Sequence, residues 1–194
     1  RAGGMGMAPG RGRDHLCWGP LISTFSEQFI ALDVKIFRAD ESGETQMKKI
    51  AIGCDPNAAG LKEAIIKHLA ELGYECEDYG SDDPIYANVA IDVAEAVASG
   101  KNDRGILMCG TGIGMSITAN KVPGAYAALC ADAYSTERSI KSNNANIMTL
   151  GEQVTGVELA KSLVTIWVKA VYESGGRSES KIQRIYEYAK AHDK

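Results

Sequence analysis

Histidine is scarce: the chain has three, His15, His68 and His192. None stands in a segment that reads as an active loop, which argues against a mechanism built on imidazole. Long apolar runs are lacking as well. A membrane-spanning helix needs about 20 consecutive apolar residues, and nothing in the chain approaches that, so no membrane partner is expected. There is no basic stripe with interleaved aromatics and the formal net charge is −4, so nucleic acid is not an expected partner. The five cysteines, Cys17, Cys54, Cys76, Cys109 and Cys130, are odd in number and show no CxxC or metal-finger spacing. Reduced thiols in a cytoplasmic protein, without a metal site, are the reading that follows. No compact apolar segment ends in a small-residue cleavage site, so no secretory signal is expected.

What the chain does have is concentrated at 103–116, Asp-Arg-Gly-Ile-Leu-Met-Cys-Gly-Thr-Gly-Ile-Gly-Met-Ser. Gly105 to Met108 reads as a buried strand that delivers Cys109 into a loop with Gly110, Gly112 and Gly114 at alternate positions; Ser116 to Lys121 reads as a helix. Strand, glycine loop and helix is how α/β proteins build anion sites, because glycine lets several N–H groups converge on one oxygen. Those N–H groups favour a thiolate at Cys109, and an ionisable group beside an oxyanion cradle points to proton transfer. Cys54, Cys76 and Cys130 read instead as small core residues. A P-loop would need a lysine after the last glycine, where Met115 and Ser116 stand. A cysteine phosphatase would need an arginine at Met115. A dinucleotide site would need G-x-G-x-x-G; the spacing here is G-x-G-x-G, although Asp132 ends the next strand where a ribose-binding carboxylate would sit, so a nicotinamide-cofactor reading stays open.

Residues 1–46 differ from the rest and are expected to be a disordered extension or a segment foreign to the domain; 47–194 read as the domain. Strands are predicted at Ile50–Cys54, Glu75–Tyr79, Gly105–Cys109, Ala125–Cys130 and Ile147–Leu150. Helices are predicted at Gly60–Leu72, from Asp83-Pro84 to Ala98 with Asp83 as cap, at Ser135–Ser142, Val157–Tyr172 and Ser178–Ala191. The alternation predicts a doubly wound α/β fold, a five-stranded parallel sheet in flavodoxin-like order with helices on both faces. Ligands of such folds lie at the carboxyl ends of the strands, where Asp55, Cys109, Asp132 and Gly151 are found.

Gly53-Cys54-Asp55, Cys109-Gly110-Thr111-Gly112-Ile113-Gly114, Ala119-Asn120-Lys121-Val122-Pro123-Gly124, Ser142-Asn143-Asn144-Ala145 and Gly175-Gly176-Arg177 occur in this order. Together they resemble the ribose-5-phosphate isomerase B and galactose-6-phosphate isomerase family over about Lys48 to Lys190. The resemblance implies cofactor-free interconversion of aldose and ketose phosphates through a cis-enediolate. It implies Cys109 as the base, since Met115 stands where some members carry a glutamate. Gly110, Gly112 and Gly114, with Thr111, would hold the enediolate oxygens. Asp55 and Asn143 correspond to substrate-hydroxyl contacts, Arg177 to a phosphate-binding arginine, and Lys181 to the position of a second one. Gln153 replaces a third. A homodimer or homotetramer is implied, its active site shared and Asn143 reaching the partner's pocket.

Members acting on ribose 5-phosphate usually have a histidine after the first-strand aspartate and another before the Asn pair, credited with ring opening. Here Pro56 and Ser142 stand there. A tetrose 4-phosphate carries its phosphate on the oxygen that would close a furanose, so it needs no ring-opening acid. The expectation is a four-carbon substrate, erythrulose or erythrose 4-phosphate, ahead of ribose 5-phosphate or a hexose 6-phosphate. The competing reading is a relative that binds a sugar phosphate without turning it over.

Overall fold

The computed structural model describes residues 49–192, and the expectations for residues 1–46 lie outside them. Five stretches form parallel strands: β1 (Ile50–Cys54), β2 (Cys76–Asp78), β3 (Arg104–Cys109), β4 (Ala127–Leu129) and β5 (Ile147–Gly151). Six helices connect and cover them: α1 (Ala59–Glu71), α2 (Tyr86–Ala98), α3 (Ile113–Ala119), α4 (Ala133–Lys141), α5 (Val157–Lys169) and α6 (Glu179–His192). A 3-10 turn, Pro56–Ala58, joins β1 to α1.

The doubly wound architecture is as the alternation predicts. Ile50, Ile52, Ile106, Met108, Met148 and Leu150 point to one face, against Leu61 and Ile65 of α1, Ile140 of α4 and Leu163 and Trp167 of α5. Ala51, Leu107 and Ile147 point to the other, against Val89, Val93 and Val97 of α2 and Met115 and Ala119 of α3. The strand order is β2-β1-β3-β5-β4, which corrects the flavodoxin-like order at one edge: β5 lies between β3 and β4. Burial explains the exchange. Every residue of β5 is buried, as interior strands of parallel sheets are, whereas β4, like β2, has three residues and is partly exposed.

Several helix boundaries differ from the sequence reading, three of them for a cause visible in the structure. Asp83 does not cap α2; its carboxylate accepts from Ile85 N at 2.7 Å and Asn88 Nδ2 at 2.8 Å, closing a turn around Pro84, and the helix starts at Tyr86. The helix after the glycine loop begins at Ile113 instead of Ser116, because Gly112 takes the left-handed conformation at its N-cap. α5 ends at Lys169, short of Tyr172, where buried Arg104 donates to the carbonyls of Trp167 (2.7 Å) and Ala170 (2.8 Å). No described helix is long and apolar enough to cross a membrane.

Candidate active site

β3 is buried throughout, and its last residue, Cys109, lies at the carboxyl rim with 6 % of its surface exposed. The chain turns there because Gly112 adopts φ +77°, which sends its N–H back to Cys109 Sγ at 3.1 Å. A Cβ on Gly112 would lie 2.6 Å from Leu129 Cδ1 and 2.8 Å from the Leu150 carbonyl carbon, so strands β4 and β5 close tightly around the loop. Thr111 is exposed, its Oγ1 3.4 Å from Ile113 N.

Neighbouring strand ends complete this rim. Asp55 is buried beside β3, its N–H on the Met108 carbonyl at 3.2 Å. Its carboxylate caps the 3-10 turn, accepting from Asn57 N at 3.0 Å and Asn57 Nδ2 at 3.1 Å. Cys109 pairs with Gly151 of β5, and Glu152 N donates to the Cys109 carbonyl at 2.9 Å. Two further side chains reach the loop: Gln153, at the position the resemblance gives to a third phosphate-binding arginine, and Tyr86, which sequence reasoning did not place here. Gln153 lies over Gly110, its Nε2 3.4 Å from where a Cβ would stand, and the Tyr86 ring covers Gly114 at 2.6 Å from the equivalent point. Their proximity comes from strand order and from the approach of α2 to α3, which no local spacing encodes.

Three other thiols lie among the described residues, Cys54, Cys76 and Cys130. Burial pushes Cys54 and Cys76 up to about 11, and burial also raises Cys130. These groups stay protonated at neutral pH and pack as apolar residues. Asp132, the residue a nicotinamide site would need, is spent as the α4 N-cap, accepting from Ser135 N at 2.8 Å.

Asn143, Arg177 and Lys181 stand at the opposite rim. α4 runs back from the carboxyl end of β4, so Asn143 follows its C-terminus, just before Asn146 accepts from Gly105 N at 2.9 Å near the start of β3. Arg177 is exposed in the turn after α5, and Lys181 is exposed on the first turn of α6. Glu173 N on the Lys141 carbonyl (3.4 Å) ties that turn to α4, and Asn144 Nδ2 on Tyr186 Oη (2.8 Å) ties α6 to the same rim. The six residues of β3 separate the two groups by roughly 17 Å.

The family described as Ribose/Galactose Isomerase matches residues 50–185. The chain is 47 % identical over 152 residues to the D-erythrulose-4-phosphate isomerase of Pectobacterium atrosepticum, covering 75 % of this chain and 99 % of that one. It is 46 % identical over 142 residues to the ribose-5-phosphate isomerase B of Escherichia coli, covering 72 % and 95 %. The structure of Clostridium thermocellum ribose-5-phosphate isomerase B superposes with a TM-score of 0.70 at 44 % identity, covering 74 % of this chain and 99 % of that one. On a match over more than half its length and on likeness extending over nearly the whole of these relatives, the chain belongs to the ribose/galactose isomerase family.

Proposed function

We propose that this protein is an aldose–ketose isomerase of a sugar phosphate, with Cys109 as the base and a tetrose 4-phosphate of the erythrulose/erythrose pair as substrate. The observation that carries it is the Cys109 thiol, buried at a strand end and held by the Gly112 N–H in a loop of backbone donors. In the ketose-to-aldose direction the Cys109 thiolate takes a proton from C1, the C1–H electron pair becomes the C1–C2 double bond, and the carbonyl oxygen takes up negative charge. The proton returns to C2 while the hydroxyl proton passes from O1 to O2. Charge on these oxygens peaks along the path, so fixed N–H donors of the 110–114 loop favour the transition state over the ground state. Asp55 binds a substrate hydroxyl from the same rim.

Asn143, Arg177 and Lys181 stand too far from Cys109 of their own chain to share its substrate. This supports a homodimer, or a tetramer built from such pairs, in which each copy's amino-rim residues complete the other's pocket. Ile113 and Ile117, 51 % and 59 % exposed immediately after the loop, supply apolar surface for that contact.

Overall likeness does not select the sugar, because a tetrulose and a ribose enzyme are 47 % and 46 % identical to this chain. The choice rests on Pro56 and Ser142, neither of which can open a furanose ring. The test is kcat/KM for D-erythrulose 4-phosphate and D-ribose 5-phosphate side by side, without added metal or cofactor. A preference of about a hundredfold for the tetrulose, about 2.7 kcal/mol in transition-state binding, is expected. Equal use of ribose 5-phosphate would refute the substrate assignment and leave the isomerase assignment standing. Replacing Cys109 by Ala should abolish turnover and retain ligand binding; retained turnover would refute the base.

A further inference from the structure

Near Arg177 and Lys181, the amino rim carries a cation to which the reaction outlined above gives no role, Arg138. Arg138 lies on α4 one turn before Ser142, on the same helix face. Its Nη1 is 3.4 Å from Ser142 Oγ, its Nη2 is 2.7 Å from Glu137 Oε2, and its Nε is buried with no acceptor among the described residues. Its carbonyl accepts from Asn143 Nδ2 at 3.0 Å. The groups around it are Glu137, Glu173, Lys141 and the Tyr134 ring, 6.0 Å from the guanidinium carbon. Glu137 is shared with Lys141 at 3.0 Å, so one carboxylate serves two cations. A guanidinium has five donors, and here its Nε–Nη2 edge has no acceptor at Nε and, at Nη2, a carboxylate that Lys141 also holds. Such an edge matches a phosphate, which accepts two parallel N–H bonds.

We propose that Arg138 is a specificity-determining residue that binds the phosphate of a four-carbon substrate, the small side chain of Ser142 leaving the space the guanidinium reaches into. The inference rests on the isomerase reading and on amino-rim residues serving a partner's pocket. The phosphate of a tetrose 4-phosphate lies one C–C bond, about 1.5 Å, nearer C1 and C2 than that of a pentose 5-phosphate. Arg177 and Lys181 are exposed, on the turn and helix beyond α5. Arg138 instead adjoins Asn143, the hydroxyl-contacting residue, through their hydrogen bond. A cation at that point meets a phosphate where a longer sugar still presents a hydroxyl. The phosphate takes the place of Glu137 at Nη2, leaving that carboxylate to Lys141, and gives the buried Nε its acceptor.

The test is calorimetric binding of two unreactive polyol phosphates, D-erythritol 4-phosphate and D-ribitol 5-phosphate, to wild type, Arg138→Met, Arg138→Lys and Ser142→His. Methionine keeps the apolar stem and leaves the carbonyl that holds Asn143. The expected result is a loss of at least about tenfold for erythritol 4-phosphate in R138M and less than about threefold for ribitol 5-phosphate, with R138K recovering part. S142H, which fills the space and keeps the arginine, should shift the preference the same way. Equal losses for both ligands, no loss in R138M and S142H, or no wild-type binding of erythritol 4-phosphate would overturn the proposal. Should wild type isomerise neither sugar, the isomerase reading falls, while the binding comparison still decides the role of Arg138.

Discussion

The loop that holds Cys109 depends on one residue having no side chain. Gly112 has φ +77°, and the space where a Cβ would go is occupied by Leu129 Cδ1 at 2.6 Å and the Leu150 carbonyl carbon at 2.8 Å. Leu129 can rotate away; the backbone of β5 cannot. Gly112→Ala therefore carries two costs, roughly 1–2 kcal/mol for a left-handed alanine and roughly 1–3 kcal/mol for overpacking. A loss of about 3 kcal/mol in urea unfolding is expected, with turnover falling because the Gly112 N–H leaves Cys109 Sγ. Gly73 separates the two costs. Its φ is +86° and nothing lies within 4 Å of its Cβ position, so Gly73→Ala should cost only the conformational part, about 1 kcal/mol, with turnover unchanged. Equal losses in the two variants would show that packing against β4 and β5 contributes nothing to the loop.

Among the described elements, the outer strand β2 adds ion pairs to its backbone ladder with β1. It has three residues, none fully buried, and Glu77 at its centre meets Lys101 at 2.6 Å and Lys49 at 3.2 Å, with Asn102 Nδ2 at 3.3 Å. The Lys101 hydrogen bond, aided by Lys49 and Asn102, holds the Glu77 carboxyl down at about 2 from its ordinary 4.5. A depressed carboxylate contributes stability that is complete above about 4.5 and is lost as pH falls towards about 2. Thermal melts across that window should show Glu77→Gln less stable than wild type at its upper end and converging with it at its lower end; parallel curves would exclude the role. These edge features show what the sequence could and could not convey. Apolar patterning located four of the strands and the helices between them, β2 followed from its place between two helices, and the strand–glycine–cysteine pattern located the loop. Neighbour relations were beyond it. The β5–β4 exchange follows from which strand is buried on both sides, and that is settled only when the helices are packed. The end of α5 is fixed by Arg104, whose partners are more than sixty residues away. Gln153 and Tyr86 reach the loop for the same reason: a separate strand end and a separate helix bring them there.

At the scale of the whole molecule, the division of the proposed site residues between two rims has the largest consequence. Asp55, Cys109 and the glycine loop end strands; Asn143, Arg177 and Lys181 follow helices that return to the strands' beginnings. Parallel topology makes this unavoidable, because each strand-to-helix turn lies at one rim and each helix-to-strand turn at the other. The intervening strand is roughly 17 Å long, beyond the reach of an arginine side chain. A pocket using both sets must draw them from two copies related by a two-fold axis, which makes two equivalent pockets per pair. That arrangement predicts complementation. Cys109→Ala and Arg177→Ala should each be nearly inactive as homo-oligomers. In a heterodimer, the R177A copy supplies Cys109 and the C109A copy supplies Arg177, so one pocket is intact and the other carries both defects. Random association puts half the dimers in this form with half their pockets working, so equimolar co-expression should restore about a quarter of wild-type activity. A mixture no more active than its parents would mean that each chain builds its pocket alone, and the two rims would then need a conformational change to meet.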